Sequence, residues 1–212
     1  MGMKGTAILV AMTTAMGLAH ANVGLDFRAD SQTVAVGDVV SVDVYAVSDS
    51  LVNQPFSSGD LIVTWDPAKL NPVSYSNSGA GYAWGNSGFL FPSLNSSLSD
   101  GNAEFSFERQ LFAAFPEATP AGLKLTTLKF TAVSPTTQTT VSMPLTLSGR
   151  TTRVFDPVLP NTNILGTRDS GAFVTITPPN TNFSGNLYLQ DTIFSSGGPR
   201  TIVGTVKQGT VT

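Results

Sequence analysis

Apolar and polar residues alternate along most of this chain. Val40, Val42, Val44 and Ala46 alternate with Ser41, Asp43 and Tyr45. Leu61, Val63 and Trp65 fall on one side of their segment, with Asp60, Ile62 and Thr64 on the other. Phe105 and Phe107 alternate with Glu104, Ser106 and Glu108, and Leu128, Phe130 and Ala132 with Lys129 and Thr131. A period of two is the mark of a strand with one buried side. Leu123 and Leu125 have the opposite parity from Leu128, which predicts a bulge at Thr126-Thr127. Val141, Met143, Leu145 and Leu147 read as one more strand, placed at a sheet edge because Pro144 has no amide proton to donate. Val174 and Ile176 mark a closing strand.

Turn signals separate these runs: Val36-Gly37-Asp38, Ser57-Ser58-Gly59, Asp66-Pro67, Ser99-Asp100-Gly101-Asn102 and Pro120-Ala121-Gly122. Asp66 can accept bonds from backbone amides just downstream, and Pro67 presets the first corner of a turn. Helical signal is confined to one short turn at Gln110 to Phe115, so βαβ units are not expected. The predicted fold is all-β: two antiparallel sheets packed face to face.

The N-terminus reads as an export signal. Met1 to Lys4 is a short basic start, Thr6 to Leu18 an uncharged, mostly apolar run, and Ala19-His20-Ala21 a small-x-small cleavage site. The expected organisation is a signal peptide over 1–21, a β-sandwich over 22–178, and a linker with a short β extension over 179–212. In that extension Gly185 to Gln190 and Thr201 to Val206 read as two strands. Two strands alone are marginal in water, so they must pack on the sandwich, pair with another chain, or begin a further domain. No segment of the mature chain is long and apolar enough to span a membrane.

Composition narrows the chemistry. Cysteine is absent, and the single histidine, His20, lies within the signal. The mature chain therefore has neither thiolate nor imidazole, which excludes Ser-His-Asp and Cys-His hydrolysis and ordinary zinc or copper sites. Charged residues make up 12% of the chain, and losing Lys4 takes the formal charge from −3 to −4, with no basic footprint for nucleic acid. Glu104 and Glu108 share a strand side but stand ~13 Å apart at ~3.3 Å per residue, beyond the ~5–9.5 Å of a glycosidase pair. Asp26, Asp30, Asp38, Asp66 and Asp100 read as turn formers, and no EF-hand spacing occurs. No enzyme activity, cofactor or metal is expected.

Read in order, several motifs resemble the cohesin family of bacterial extracellular modules. They are Val34 to Val44, with a Gly-Asp turn into a Val-rich strand; Trp65-Asp66-Pro67 followed by Leu70; Asp100 to Phe107; Gly122 to Phe130; and Asp169 to Ile176. The resemblance covers roughly Val23 to Pro178. It implies a cohesin-like jelly roll that binds a protein partner, with a dockerin-like domain as the partner class expected from the resemblance, through one sheet side, in cell-surface or cellulosome-like assembly. The residues implied are Asp60, Ile62, Thr64, Glu104, Ser106 and Glu108, with Ile62 as an apolar anchor; the plain alternative is a solvated strand face. The chain carries no dockerin-like paired calcium loops and no tandem copies. A second reading places Tyr82, Trp84, Asn86 and Phe89, within a Gly-rich loop over 79–92, as a polysaccharide-stacking site, against the alternative that the aromatics cap the sandwich. A third makes the chain a matrix or filament subunit joined through its C-terminal strands.

Overall fold

The computed structural model describes residues 22–29, 33–90, 94, 98–159, 161–169 and 171–179. The chain divides into two units, Met1–Asn180 and Thr181–Thr212, and every described residue belongs to the first. The expected signal peptide, the turn former Asp30, the end of the 79–92 segment and the two strands expected beyond Pro179 lie outside the described residues.

The strands are β1 (Val23–Ala29), β2 (Thr33–Ala35), β3 (Val39–Ser48), β4 (Gln54–Pro55), β5 (Ser58–Thr64), β6 (Leu70–Ser76), β7 (Trp84–Phe89) and β8 (Asn102–Arg109). They continue as β9 (Glu117–Ala118), β10 (Leu123–Ala132), β11 (Thr136–Val141), β12 (Thr146–Leu147), β13 (Arg150–Thr151), β14 (Arg153–Phe155), β15 (Leu165–Arg168) and β16 (Ala172–Thr177). No helix occurs among the described residues. One main sheet has the order β15-β1-β3-β10-β6 and the other β14-β5-β8-β7, with smaller sheets β11-β16-β2, β4-β9 and β12-β13. Pairing is antiparallel except for β1 with β15 and β2 with β16.

The alternation places the core. Val42 and Val44 on β3, Leu61 and Val63 on β5, Phe105 and Phe107 on β8, and Leu128 and Phe130 on β10 are all buried in one cluster between the sheets. Each such side chain contributes on the order of 1.5–3 kcal/mol by leaving water. The parity change on β10 is real, with the register against β3 slipping between Lys124 and Thr126. The extra residue is Leu125, just ahead of the expected position, and both Leu125 and Leu128 end up buried.

The turn after β5 also behaves as its residues require. Asp66 Oδ1 accepts from the Ala68 amide at 2.9 Å, and the Asp66 carbonyl accepts from Lys69 and Leu70. Leu70 then re-enters the core, and the Trp65 ring lies 5.5 Å from Phe130. Gly101 packs directly on this turn, accepting from the Trp65 amide at 2.9 Å. Its φ is 86°, a region that favours glycine.

Two sequence expectations are corrected. The run through Val141 to Leu147 is not one strand: β11 ends at Val141, Met143 is buried, Leu145 is exposed, and Leu147 belongs to the separate β12. Pro144 and the Ser148-Gly149 turn, with φ of 48° and 80°, break the ladder. Within the segment expected to be a loop over 79–92, residues 84–89 instead form edge strand β7. Gln110 to Phe115 makes a single turn, with the Ala113 amide bonded to the Gln110 carbonyl.

A Cβ at Gly101 would stand 2.6 Å from the Trp65 carbonyl oxygen and 2.8 Å from Pro67 Cδ. Gly101→Ala is therefore expected to lower unfolding free energy by about 1–3 kcal/mol, from the strained φ and the clash. Urea denaturation measures this; an unchanged midpoint contradicts it.

Candidate protein-binding surface

The four-stranded sheet turns one side to the core and the other outward. Cross-strand register sets the outward rows: Ser58 beside Glu108, Asp60 beside Ser106, Ile62 beside Glu104 and Thr64 beside Asn102. On the far side of β8, Asn86 faces Glu108 and Gly88 faces Ser106. On the far side of β5, Arg153 faces Asp60 and Phe155 faces Ser58. All six residues expected at a binding face thus do lie on one sheet side.

They are not equally open. Ile62 is 0% exposed and Glu104 2%. Ile62 lies outside the central core cluster, so its cover comes from the outer side. That cover is the β12–β13 hairpin, a flap inserted into the strand that borders β5. Before the flap, Ser142 exchanges two backbone bonds with Thr64; after it, Arg153 pairs with Asp60. Between these points the Ile62 amide finds no strand and donates instead to Thr152 Oγ1 at 3.1 Å. The same hydroxyl donates to the Pro144 carbonyl at 2.7 Å, closing the neck of the flap. The exposed anchor expected at Ile62 is therefore corrected: parity faces it outward, and the flap buries it.

Glu104 is the electrostatic centre of the covered region. Burial raises its pKa above 4.5, the Asp60 carboxylate raises it further, and Arg150 and Arg153 pull it back. Arg150 Nε stands 3.6 Å from Glu104 Oε2, and Arg153 donates to Asp60 Oδ2 at 2.5 Å. Beyond the flap the strip is open: Glu108 and Asn86 are exposed, Ser58, Asp60 and Ser106 are half-buried, and the Arg153 guanidinium lies 4.9 Å from the Phe155 ring centroid. Sequence reading missed Arg150, Thr152 and Arg153. The Ser148-Gly149 pair was the available signal that the chain doubles back there.

The residues of the alternative sugar site fall into two groups: Tyr82 and Trp84 lie together, while Asn86 and Phe89 line a separate recess with Tyr75 and Ser106. A register slip between Trp84 and Asn86 turns Trp84 inward and leaves Asn86 on the outer face with Glu108. Trp84 packs on Phe107 at 5.2 Å and on Tyr82 at 4.9 Å, and its Nε1 donates to the Leu125 carbonyl. The Tyr82 hydroxyl donates to the Ala114 carbonyl, and Phe89 packs edge-on against Tyr75 and Phe105. These aromatics close the open seam between β6 and β7, with both polar handles spent on the protein's own backbone.

Two measurements test this arrangement. Because the Glu104 pKa is raised on folding, its contribution to stability is full below about 4.5 and falls as pH rises through the folded value. The stability of the wild type relative to Glu104→Gln should therefore decline from acid to neutral pH; a flat difference contradicts the burial. Trp84→Ala should cost about 2–4 kcal/mol in denaturant unfolding, because it opens the seam. A Trp84→Ala chain as stable as the parent would show that the ring is a surface group.

No family model matches the chain, and no curated protein matches it in sequence. Solved structures do match. A cohesin module from a family 33 glycoside hydrolase of Clostridium perfringens aligns with a TM-score of 0.56 at 9% identity, over 74% of this chain and 98% of that one. CaCohA2 from Clostridium acetobutylicum aligns at 0.51 and 16%, over 74% and 92%. The sixth cohesin of scaffoldin B from Acetivibrio cellulolyticus, solved in complex with a dockerin, aligns at 0.50 and 19%, over 74% and 99%. At these identities the likeness is one of architecture: the described residues form a β-sandwich of the cohesin-like, jelly-roll fold.

Proposed function

We propose that this chain is an exported, non-catalytic binding module that docks a protein through the open part of the β14-β5-β8-β7 sheet. The observation that carries the reading is the uncovered strip Glu108, Asn86, Ser106 and Asp60, bordered by Arg153 and by the flap. It is flat, pairs acid with base, and rests on a rigid sheet, so a partner can bind with little ordering cost. A matching partner presents a basic group to Glu108. The solved Acetivibrio cohesin, in complex with a dockerin, supports a protein as the ligand, and a dockerin-like domain is the natural first candidate. Of the six residues the resemblance implies, Asp60, Ser106 and Glu108 are proposed to touch the partner, Thr64 to border it, and Ile62 and Glu104 to support the surface from beneath.

Export through Met1 to Ala21, with a mature chain beginning at Asn22, fits the order of basic start, apolar run and small-residue triplet. Work at the cell surface or in a cellulosome-like assembly follows from the same proposal. The non-catalytic reading is supported by composition, since the only histidine precedes Asn22 and cysteine is absent. Carboxylates are then the remaining acid-base groups, and Glu104 and Glu108 are four residues apart on one strand.

The test is to capture a partner on the immobilised chain from the secreted and surface fraction of its organism, then measure variants. Glu108→Arg and Ser106→Arg should each weaken binding about tenfold or more while leaving the melting temperature unchanged, as both positions are accessible on the open face. Equal affinity of parent and variants would place the interface elsewhere.

A further inference from the structure

The outer face of the β14-β5-β8-β7 sheet has a gap in its side chains. Along β7 the outward positions include Asn86 and Gly88, paired with Glu108 and Ser106. Leu90 follows in register, its amide donating to the Glu104 carbonyl at 2.9 Å. Asn86 and Leu90 stand ~13 Å apart at ~3.3 Å per residue, and between them Gly88 contributes no side chain. Its cross-strand neighbour Ser106 contributes one of the smallest. Two small residues side by side leave a notch between larger ones.

The notch is walled as well as vacant. Tyr75, from β6 of the other main sheet, reaches across to β7 and donates from Oη to the Ser87 carbonyl at 2.8 Å. With Asn86, Leu90 and Ser106 it bounds a recess of about 280 Å³. A Cβ at Gly88 would stand 3.1 Å from Tyr75 Oη, so a side chain there would fill the space that the glycine leaves. Leu90 and Tyr75 are each 38% exposed and supply apolar walls. Volume sets the scale of an occupant: a cavity of ~150 Å³ already admits a benzene ring.

These walls are fixed before anything binds. The Tyr75 ring packs edge-on against Phe89 at 5.9 Å and against Phe105 at 5.2 Å. Asn77 Nδ2 donates to Ser87 Oγ at 2.7 Å, a second tie at the same point of β7. A recess with ordered walls takes an occupant at little entropic cost.

A sugar ring and a protein side chain are the two occupants of suitable size. A sugar needs hydroxyl partners on several sides, and the Tyr75 hydroxyl has already given its proton to Ser87. The notch also lies in one row with the strip proposed to meet a partner: Gly88 beside Ser106, Ser106 beside Asp60, Asp60 beside Arg153. The strip's own side chains, Glu108, Asn86, Ser106 and Asp60, are all polar. Protein interfaces centre on large apolar anchors seated in pockets, and this recess is a pocket at the margin of a polar strip.

We propose that the notch at Gly88 and Ser106 receives one aromatic side chain of the protein that docks on this face. The inference rests on the docking reading given above and adds the element that selects the partner. Tyr75 and Leu90 contact the ring, and Gly88 makes room for it.

Amide NMR of the full exported chain, titrated with p-cresol as a free tyrosine side chain, tests this without a partner. The Gly88, Leu90 and Ser106 amides should shift together and saturate at about millimolar concentration, while methyl β-glucoside leaves them unmoved. Ser106→Leu fills the notch from an accessible position and should weaken p-cresol binding about tenfold or more, with an unchanged melting temperature. Leu90→Asp should weaken binding of the captured partner by about tenfold. Absence of a saturable shift at these amides, an equal response to the glucoside, or p-cresol binding indifferent to Ser106→Leu overturns the proposal. So does a partner held equally by the parent and by Leu90→Asp. If Glu108→Arg still weakens that partner, docking on this face stands and the notch alone falls; if Glu108→Arg has no effect either, the docking surface falls with it.

Discussion

Each main sheet has one apolar side that it cannot leave in water, and everything else follows from their meeting. Val42 and Val44 on one sheet and Phe105 and Phe107 on the other are buried in a single cluster. A buried core of this kind is the dominant favourable term in folding. Without cysteine, the described sandwich has no covalent crosslink to fall back on. The turns serve this contact: Asp66 sends Leu70 back inside, and Gly101 packs on the same corner.

Packing two open sheets leaves edges, and this molecule treats its edges unequally. At the β6–β7 seam, Tyr75, Tyr82, Trp84 and Phe89 fill the gap, and the three handles Tyr75 Oη, Tyr82 Oη and Trp84 Nε1 bond to backbone carbonyls. At the β5 border, the neighbouring strand is broken by a flap, and the Thr152 hydroxyl stands in for the missing backbone partner of Ile62. The first device seals the core. The second covers half of an outer sheet face and leaves the other half open, which shapes the surface assigned here to a partner.

The covered half includes a buried carboxylate. Glu104 pairs across strands with Ile62 and lies under Arg150, so the flap holds an apolar and an ionisable group in the same shelter. Burying a carboxylate costs more than its nearby guanidinium returns in full, and that is why its pKa is raised. The open strip beyond it keeps Glu108 in water, so two glutamates of one strand side live in opposite environments.

Alternation and turn residues, both local properties of the chain, were enough to determine β3, β5, β8, β10 and β16 with their inward residues, the β10 bulge to within a residue, the corner at Asp66 and the two-sheet architecture. Parity could also state which side of a strand a residue faces. It could not state what covers that side, because cover comes from residues distant in sequence. Thr64, Ile62 and Asp60 have the same parity, yet only Ile62 is fully buried, since Pro144 to Thr152 folds back over it. Likewise one register slip, at Gly85, parted Trp84 from Asn86, and Tyr75, from a strand of the other main sheet, came to wall the recess beside Gly88. Tertiary structure alone decided these points, because each depends on which segments meet across the fold.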